Sequence, residues 1–355
     1  MKLDVGGEPI HTRSLGVALL WRADGRLDLR GQLLDLRKRG CVPVVGELQG
    51  SGLIHHMRVR GVIDPAARRL DEIGSEQPTV GFEPAPRTRG ESCRDPAPRV
   101  AALAGATLDE GFARRVGAGI GGPRGCTHVL SIVQLAGGTV PWALDVELER
   151  AGALRPREAG SRLFQRSLVV DGFEIGRLRM VVAIQQSDLH LAEPPPVGPP
   201  FECLAAERSV QLRAEIDCAR MELVALHAAQ RVRAGVDQPG EWQSRDAAVA
   251  GLPGLALRPG VATELLRRLS GDPSQRPLLD ALLQMTPAVH QCLAALTGAW
   301  QAAARQAKRD PASGVGARSF PDSCYMWRRG GALDALRGGR TALEGPALRR
   351  DPTEG

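Results

Sequence analysis

Two runs in which apolar and polar residues alternate, Ser14 to Trp21 and Leu27 to Leu36, flank Ala23-Asp24-Gly25-Arg26. An Asp-Gly turn between two period-two segments predicts a β-hairpin. In the second run Leu27, Leu29 and Gly31 share one face, and Asp28, Arg30 and Gln32 share the other, so one face is wet. Ile54 to Asp64 repeats the alternation as a third strand, Pro65-Ala66-Ala67-Arg68 turns the chain, and Arg69 to Ile73 returns as a fourth. Leu168 to Ile175 and Arg177 to Gln185 form another predicted hairpin, with a bend at Asp171-Gly172. Gly81 to Arg99, rich in Pro, Arg and Gly, reads as an exposed loop with Cys93 near its end.

Helical periodicity takes over between the hairpins. Thr107-Leu108-Asp109-Glu110 predicts an N-cap with acidic residues in the first turn, starting a helix to about Val116. Gly121, Gly122 and Pro123 stop it, and a second helix runs from Cys126 to about Leu135 before Gly137-Gly138 and Pro141 interrupt it. Beyond the proline-rich stretch at 193–200, Glu202 to Arg233 reads as one long Ala- and Arg-rich helix without Gly or Pro. Leu278 to Met285 and Val289 to Lys308 follow as two helices parted by Pro287. In the last, Val289, Cys292, Leu293, Leu296 and Trp300 form one apolar stripe that reads as core or interface.

These elements predict an α+β fold: an antiparallel sheet with helices on one face, plus an all-α helical insertion. The expected organisation is an α+β core over 1–192, a linker over 193–200, a helical bundle over 201–310, a C-terminal element over 311–336 that returns to the core, and a disordered tail over 337–355.

Composition narrows the functional classes. Hydrophobic residues make up 43% of the 355-residue chain but aromatics only 3%, so the core is aliphatic. The net charge of +6 comes mostly from Arg, with Lys only at Lys2, Lys38 and Lys308, in the manner of a GC-rich bacterial genome. Arg is spread through every segment, which gives no patch for nucleic acid. No apolar run approaches the roughly 20 residues that cross a bilayer, and the start of the chain lacks the apolar centre of a secretory signal. The seven cysteines are scattered without a Cys-x-x-Cys pair, which points to a reducing cytoplasm and free thiols. Gly117 to Gly122 follows a helix rather than a strand, so a dinucleotide-binding loop fails its context.

The chemistry concentrates at Gly122-Pro123-Arg124-Gly125-Cys126-Thr127-His128. Cys126 and His128 arrive at a helix start, where free backbone N–H groups and the positive end of the dipole favour a thiolate. This stretch resembles the bacterial family DUF2889, a domain of unknown function. Thr12-Arg13, Trp21-Arg22-Ala23-Asp24-Gly25, Ile54-His55-His56-Met57, Cys93 leading into Ala101 to Gly105, and Asp322-Ser323-Cys324-Tyr325-Met326-Trp327 extend the resemblance over roughly 12–186 and 318–333. The order of strands and thiols is also distantly similar to IscU/NifU-type iron–sulfur scaffold domains. That similarity implies that His55 and His56 stand where such scaffolds have a Cys and an Asp, with Cys93 and Cys126 at the second and third thiol positions.

Three readings follow. In the first, the chain is a cytoplasmic bacterial accessory protein whose His55, His56, Cys93, Cys126 and His128 hold zinc or iron, or serve iron–sulfur chemistry. In the second, it is a non-catalytic adaptor whose helical insertion binds a protein partner. In the third, Cys126 is the nucleophile of a thiol enzyme activated by His128. All three foresee a protein partner or substrate, and neither nucleic acid nor membrane.

Overall fold

The computed structural model describes residues 5–40, 42–44, 47–193, 204–234, 239–257, 260–306 and 322–334. The first part of the chain holds strands β1 (Glu8–Trp21), β2 (Leu27–Arg37), the small hairpin β3 (Val42–Val44) and β4 (Glu47–Gln49), then β5 (Gly52–Asp64), β6 (Arg69–Thr79) and β7 (Ala106–Thr107). Helices α1 (Phe112–Ile120) and α2 (Thr127–Ala151) follow. The second part repeats this order with β8 (Arg162–Gly176), β9 (Arg179–Leu191), β10 (Leu204–Asp217), β11 (Glu222–Arg233) and β12 (Gln243–Ser244), then α3 (Asp246–Val249), α4 (Val261–Leu269) and α5 (Arg276–Gln306).

Ten of these strands make one antiparallel sheet in the order β12-β11-β10-β9-β8-β1-β2-β5-β6-β7. It is two four-stranded meanders joined through their first strands, β1 and β8. Arg13, Asp35, Ile63-Asp64 and Leu70 recur as Arg166, Asp188, Ile216-Asp217 and Leu223 at a constant offset of 153 (13 to 166, 35 to 188, 63 to 216). Leu15 pairs with Leu168, its own equivalent, so a local two-fold axis passes between these two residues. The chain is an internal duplication.

Side-chain alternation fixes the layers. On β2 the odd positions from Leu27 to Arg37 are all buried, and the even ones are partly or fully exposed. A Cβ added to Gly31 would strike Ile132 of α2, and one added to Gly172 would strike Cys292 of α5. The strand register puts Gly31 and Gly172 on the same face, so both long helices cover one side of the sheet; the other side is polar along β2, with Ala18, Leu20, Val181 and Ala183 buried on it.

Several expectations are corrected. Glu202 to Arg233 is not a helix: its described part is the hairpin β10–β11, which continues the main sheet. Val210, Leu212, Ala214 and Ile216 are fully buried and alternate with partly exposed Gln211, Arg213, Glu215 and Asp217. Packing on this period-two pattern overrides the helical propensity of Ala and Arg. No separate helical lobe forms among the described residues, because α5 packs on β1, β8, β9 and β10. Pro141 and Pro287 lie inside α2 and α5 instead of ending them. Gly137 and Gly138 give close approach rather than a break: a methyl group would meet the Phe112 ring at the first and the Arg276 guanidinium at the second. Asp171-Gly172 does not interrupt the hairpin: β8 runs through it, and the turn falls at Arg177-Leu178, next to the gap between the two expected strands. At Asp109, the side chain caps a turn by accepting from Gly111 N–H, and α1 starts only at Phe112. The linker beyond residue 193, the tail and all of 311–321 fall outside the described residues.

Helix α2 is long and apolar enough to cross a membrane by length and composition, and 67% of its apolar window is buried inside the protein. Its apolar residues Val129, Ile132, Val133, Ala136, Val140 and Ala143 belong to the core.

Candidate metal centre

The centre is built outward from Asp35. Its odd position on β2 places it on the helix-covered face, where it is fully buried. A carboxylate there is costly unless it is paired. Its direct cross-strand neighbours are Arg13 on β1 and His55 on β5. Arg13 donates from Nε to Asp35 Oδ1 at 3.0 Å and from Nη2 to Oδ2 at 3.2 Å. His11 Nε2 lies 3.0 Å from Oδ1, and His55 Nδ1 lies 3.3 Å from Oδ2. Burial alone would raise the carboxyl pKa, but the Arg13 charge and the hydrogen-bonded imidazoles hold it well below the usual carboxylate range.

His128 descends onto this group from the first turn of α2. Its Nε2 lies 3.2 Å from Asp35 Oδ2 and 3.1 Å from the Gln291 amide of α5. Its ring stacks on that of His55 with centroids 3.8 Å apart. With the proton on Nε2, toward Asp35, the lone pair falls on Nδ1, which faces the Cys126 sulfur at 3.7 Å; with the proton on Nδ1, Nε2 accepts from the Gln291 amide nitrogen. His55 is arranged the same way, with Nδ1 toward Asp35 and Nε2 against Gly81, where a Cβ would come within 3.0 Å. Asp35, His55 and His128 offer ligand atoms that all lie within 4.8 Å of one another, a grouping compatible with a metal ion.

Cys126 is the N-cap of α2, but its sulfur makes no cap hydrogen bond. Burial raises its thiol pKa, and burial together with the His55 charge lowers His128 to about 3. Without a metal the pair is a thiol beside a neutral imidazole, not the thiolate–imidazolium pair of an activated nucleophile.

The structure thus brings His55, Cys126 and His128 together. Cys93, in the loop after β6, is not in the group whose ligand atoms lie within 4.8 Å of one another; burial and the neighbouring Cys126 and Cys324 push its thiol pKa well up. His56 does not join. Consecutive strand residues face opposite sides of a sheet, and His56 lies on the wet face with Arg58 Nε donating to it at 3.2 Å. Sequence reasoning passed over Asp35, Arg13 and His11. The available signal was the β2 alternation itself, which places a carboxylate in line with Leu27, Leu29 and Leu33.

The duplication separates scaffold from chemistry. Arg166 donates to Asp188 at 2.6 and 2.8 Å, as Arg13 does to Asp35, and further to Thr139 and Asp280. On the strands the equivalents of His11 and His55 are Phe164 and Arg208, and α5 starts with Arg276-Pro277-Leu278, without a Cys or His where α2 has Cys126 and His128. The buried Arg–Asp pair is common to both halves, whereas the imidazoles and the thiol belong to the first alone.

That first half is also where a family model matches. Residues 11–140 match the family described as "Protein of unknown function (DUF2889)". The DUF2889 match therefore covers β1 through most of α2, including Asp35, His55, Cys93, Cys126 and His128, and no part of the second half. No curated protein and no solved structure matches, and the likeness to IscU/NifU-type scaffolds is not shown.

Proposed function

We propose that the chain is a metal-binding accessory protein that holds zinc or iron at His128 and Cys126, with Cys93 as a second sulfur. The observation that carries this reading is the placement of the His128 ring, with one nitrogen on a buried carboxylate and the other 3.7 Å from a sulfur. Neighbouring ligands of a tetrahedral ion bonded at about 2.0–2.3 Å stand about 3.3–4 Å apart, so this edge needs little rearrangement. Asp35 acts as the orienting partner rather than a ligand, because Arg13 and His11 already occupy its oxygens. A carboxylate behind an imidazole fixes the tautomer and raises the basicity of the ligating nitrogen. His55 supports the ring by stacking and shares the same carboxylate. Borderline-soft ions match this nitrogen and sulfur set; magnesium and calcium do not.

The test is metal analysis of protein purified anaerobically without chelators, followed by reloading with Zn2+ or Fe2+. About one tightly held ion per chain is expected. Protein that carries none and takes up neither ion contradicts the reading.

A further inference from the structure

The last described segment, 322–334, is short and far in sequence from anything it touches. It is fastened to two loops. Tyr325 N–H donates to the Gly125 carbonyl at 2.8 Å, and the Thr127 hydroxyl donates to the Ser323 carbonyl at 2.8 Å. These two bonds flank one pair of residues, so the register sets Cys324 opposite Cys126. On the other side the Trp327 ring meets Phe82 edge-on with centroids 5.5 Å apart. Glu91 accepts from the Arg328 guanidinium and, at 3.2 Å, from Ala332 N–H. Phe82 and Glu91 lie in the same loop as Cys93, whose own N–H donates to the Phe82 carbonyl at 3.2 Å. The segment therefore bridges the two loops that carry the sulfurs.

Burial and the neighbouring Cys126 and Cys324 raise the Cys93 thiol, and burial and Cys126 raise Cys324. The three sulfurs do not all lie within 4.8 Å of one another, so a shared ion would draw them together. All three cysteines are free.

We propose that Cys324 is the third sulfur ligand of the metal, completing with Cys93, Cys126 and His128 Nδ1 a four-coordinate site of three thiolates and one imidazole. The ion then clamps the 322–334 segment across the mouth of the DUF2889 half. This rests on the metal-binding reading above. Each thiol gives its proton to solvent as its sulfur binds, and no electron moves. Four protein ligands leave no open position, which is the pattern of a closed structural site rather than a catalytic one.

Zinc K-edge X-ray absorption on the full-length protein loaded with Zn2+ reads the ligands directly. The wild type is expected to show three sulfurs at about 2.3 Å and one nitrogen at about 2.0 Å. Cys324→Ser is expected to lose one sulfur from that shell. A wild-type shell with one or two sulfurs, or an unchanged shell in Cys324→Ser, overturns the assignment of Cys324 while leaving metal binding intact. Failure of the wild type to take up zinc sinks the underlying reading instead. Should Cys324→Ser not fold, hydrogen exchange on the wild type decides. The Tyr325 amide, bonded to Gly125, slows on zinc binding if the clamp exists, and an unchanged rate refutes it. A Cys126–Cys324 disulfide as the stable state under anaerobic, reducing conditions also refutes it.

Discussion

His128 Nε2 lies 3.2 Å from Asp35 and His128 Nδ1 lies 3.7 Å from the Cys126 sulfur, so one imidazole joins a buried carboxylate to a thiol. The carboxylate comes from the sheet and the thiol from the start of the helix that covers it. Asp35 is held by Arg13, and Cys126 sits at the N-cap of α2.

Removing the orienting carboxylate should weaken the ligand without removing it. Asp35→Asn is expected to lower zinc affinity by about 10–100-fold, the usual effect of losing a partner behind a ligating imidazole. It also leaves Arg13 buried without its counter-charge, at a cost of roughly 3–5 kcal/mol. Zinc titration against a chelating dye and urea unfolding measure the two effects separately. Unchanged affinity would assign Asp35 to packing alone.

The equivalent substitution in the second half makes the control. Arg166→Met strands Asp188 in the core and leaves Asp280 to Arg276 alone, and is expected to cost about 3–5 kcal/mol in urea unfolding. Zinc content should stay at the wild-type level, because this half carries none of the imidazoles or thiols of the first. Loss of zinc from a folded Arg166→Met protein would show that the halves are coupled.

Gly81 makes room for His55. A methyl group there would sit 3.0 Å from His55 Nε2, so Gly81→Ala should push the ring off His128. The expected result is weaker zinc binding with little loss of stability, since the added methyl strikes one side chain rather than backbone. Full affinity in Gly81→Ala would mean that the stacked ring is dispensable.

Much of this was legible in the sequence, for identifiable reasons. The hairpins β1–β2 and β5–β6 follow from clean alternation around Asp-Gly and Pro-Ala-Ala-Arg turns. Cys126 and His128 stood out because two soft ligands at a helix start are chemically loaded. The hairpin β10–β11 was hidden because Ala, Arg and Glu favour helices in isolation, and only the continuing sheet makes the period-two pattern decisive. Asp35 was hidden because a single carboxylate on an apolar face gains meaning only once Arg13 and His55 flank it across the sheet. The duplication was visible in Arg13-Ser14-Leu15 and Arg166-Ser167-Leu168, yet it took the Leu15–Leu168 pairing to give that likeness a structural sense.

Acid should destabilise the fold partly through His190. Its ring lies between Trp142 and Phe164, with centroids 5.1 and 4.9 Å away, and burial with the nearby Arg208 and Arg166 charges lowers its pKa from 6.5 to about 3. Between those values the unfolded chain binds a proton that the folded chain refuses, so stability falls as pH falls through that window. The loss approaches about 1.4 kcal/mol per pH unit, or about 2 kcal/mol at pH 5. His190→Phe fills the same space without titrating and should lose about that much less between pH 7 and pH 5 in urea unfolding. Equal losses would place the acid sensitivity elsewhere.

The most direct test of the account is the metal content of Cys126→Ser. The variant and the wild type are purified anaerobically, incubated with the same Zn2+, desalted and assayed by mass spectrometry, with circular dichroism to verify the fold. The account predicts about one zinc per wild-type chain and almost none in folded Cys126→Ser. Full zinc retention in the folded variant would contradict it.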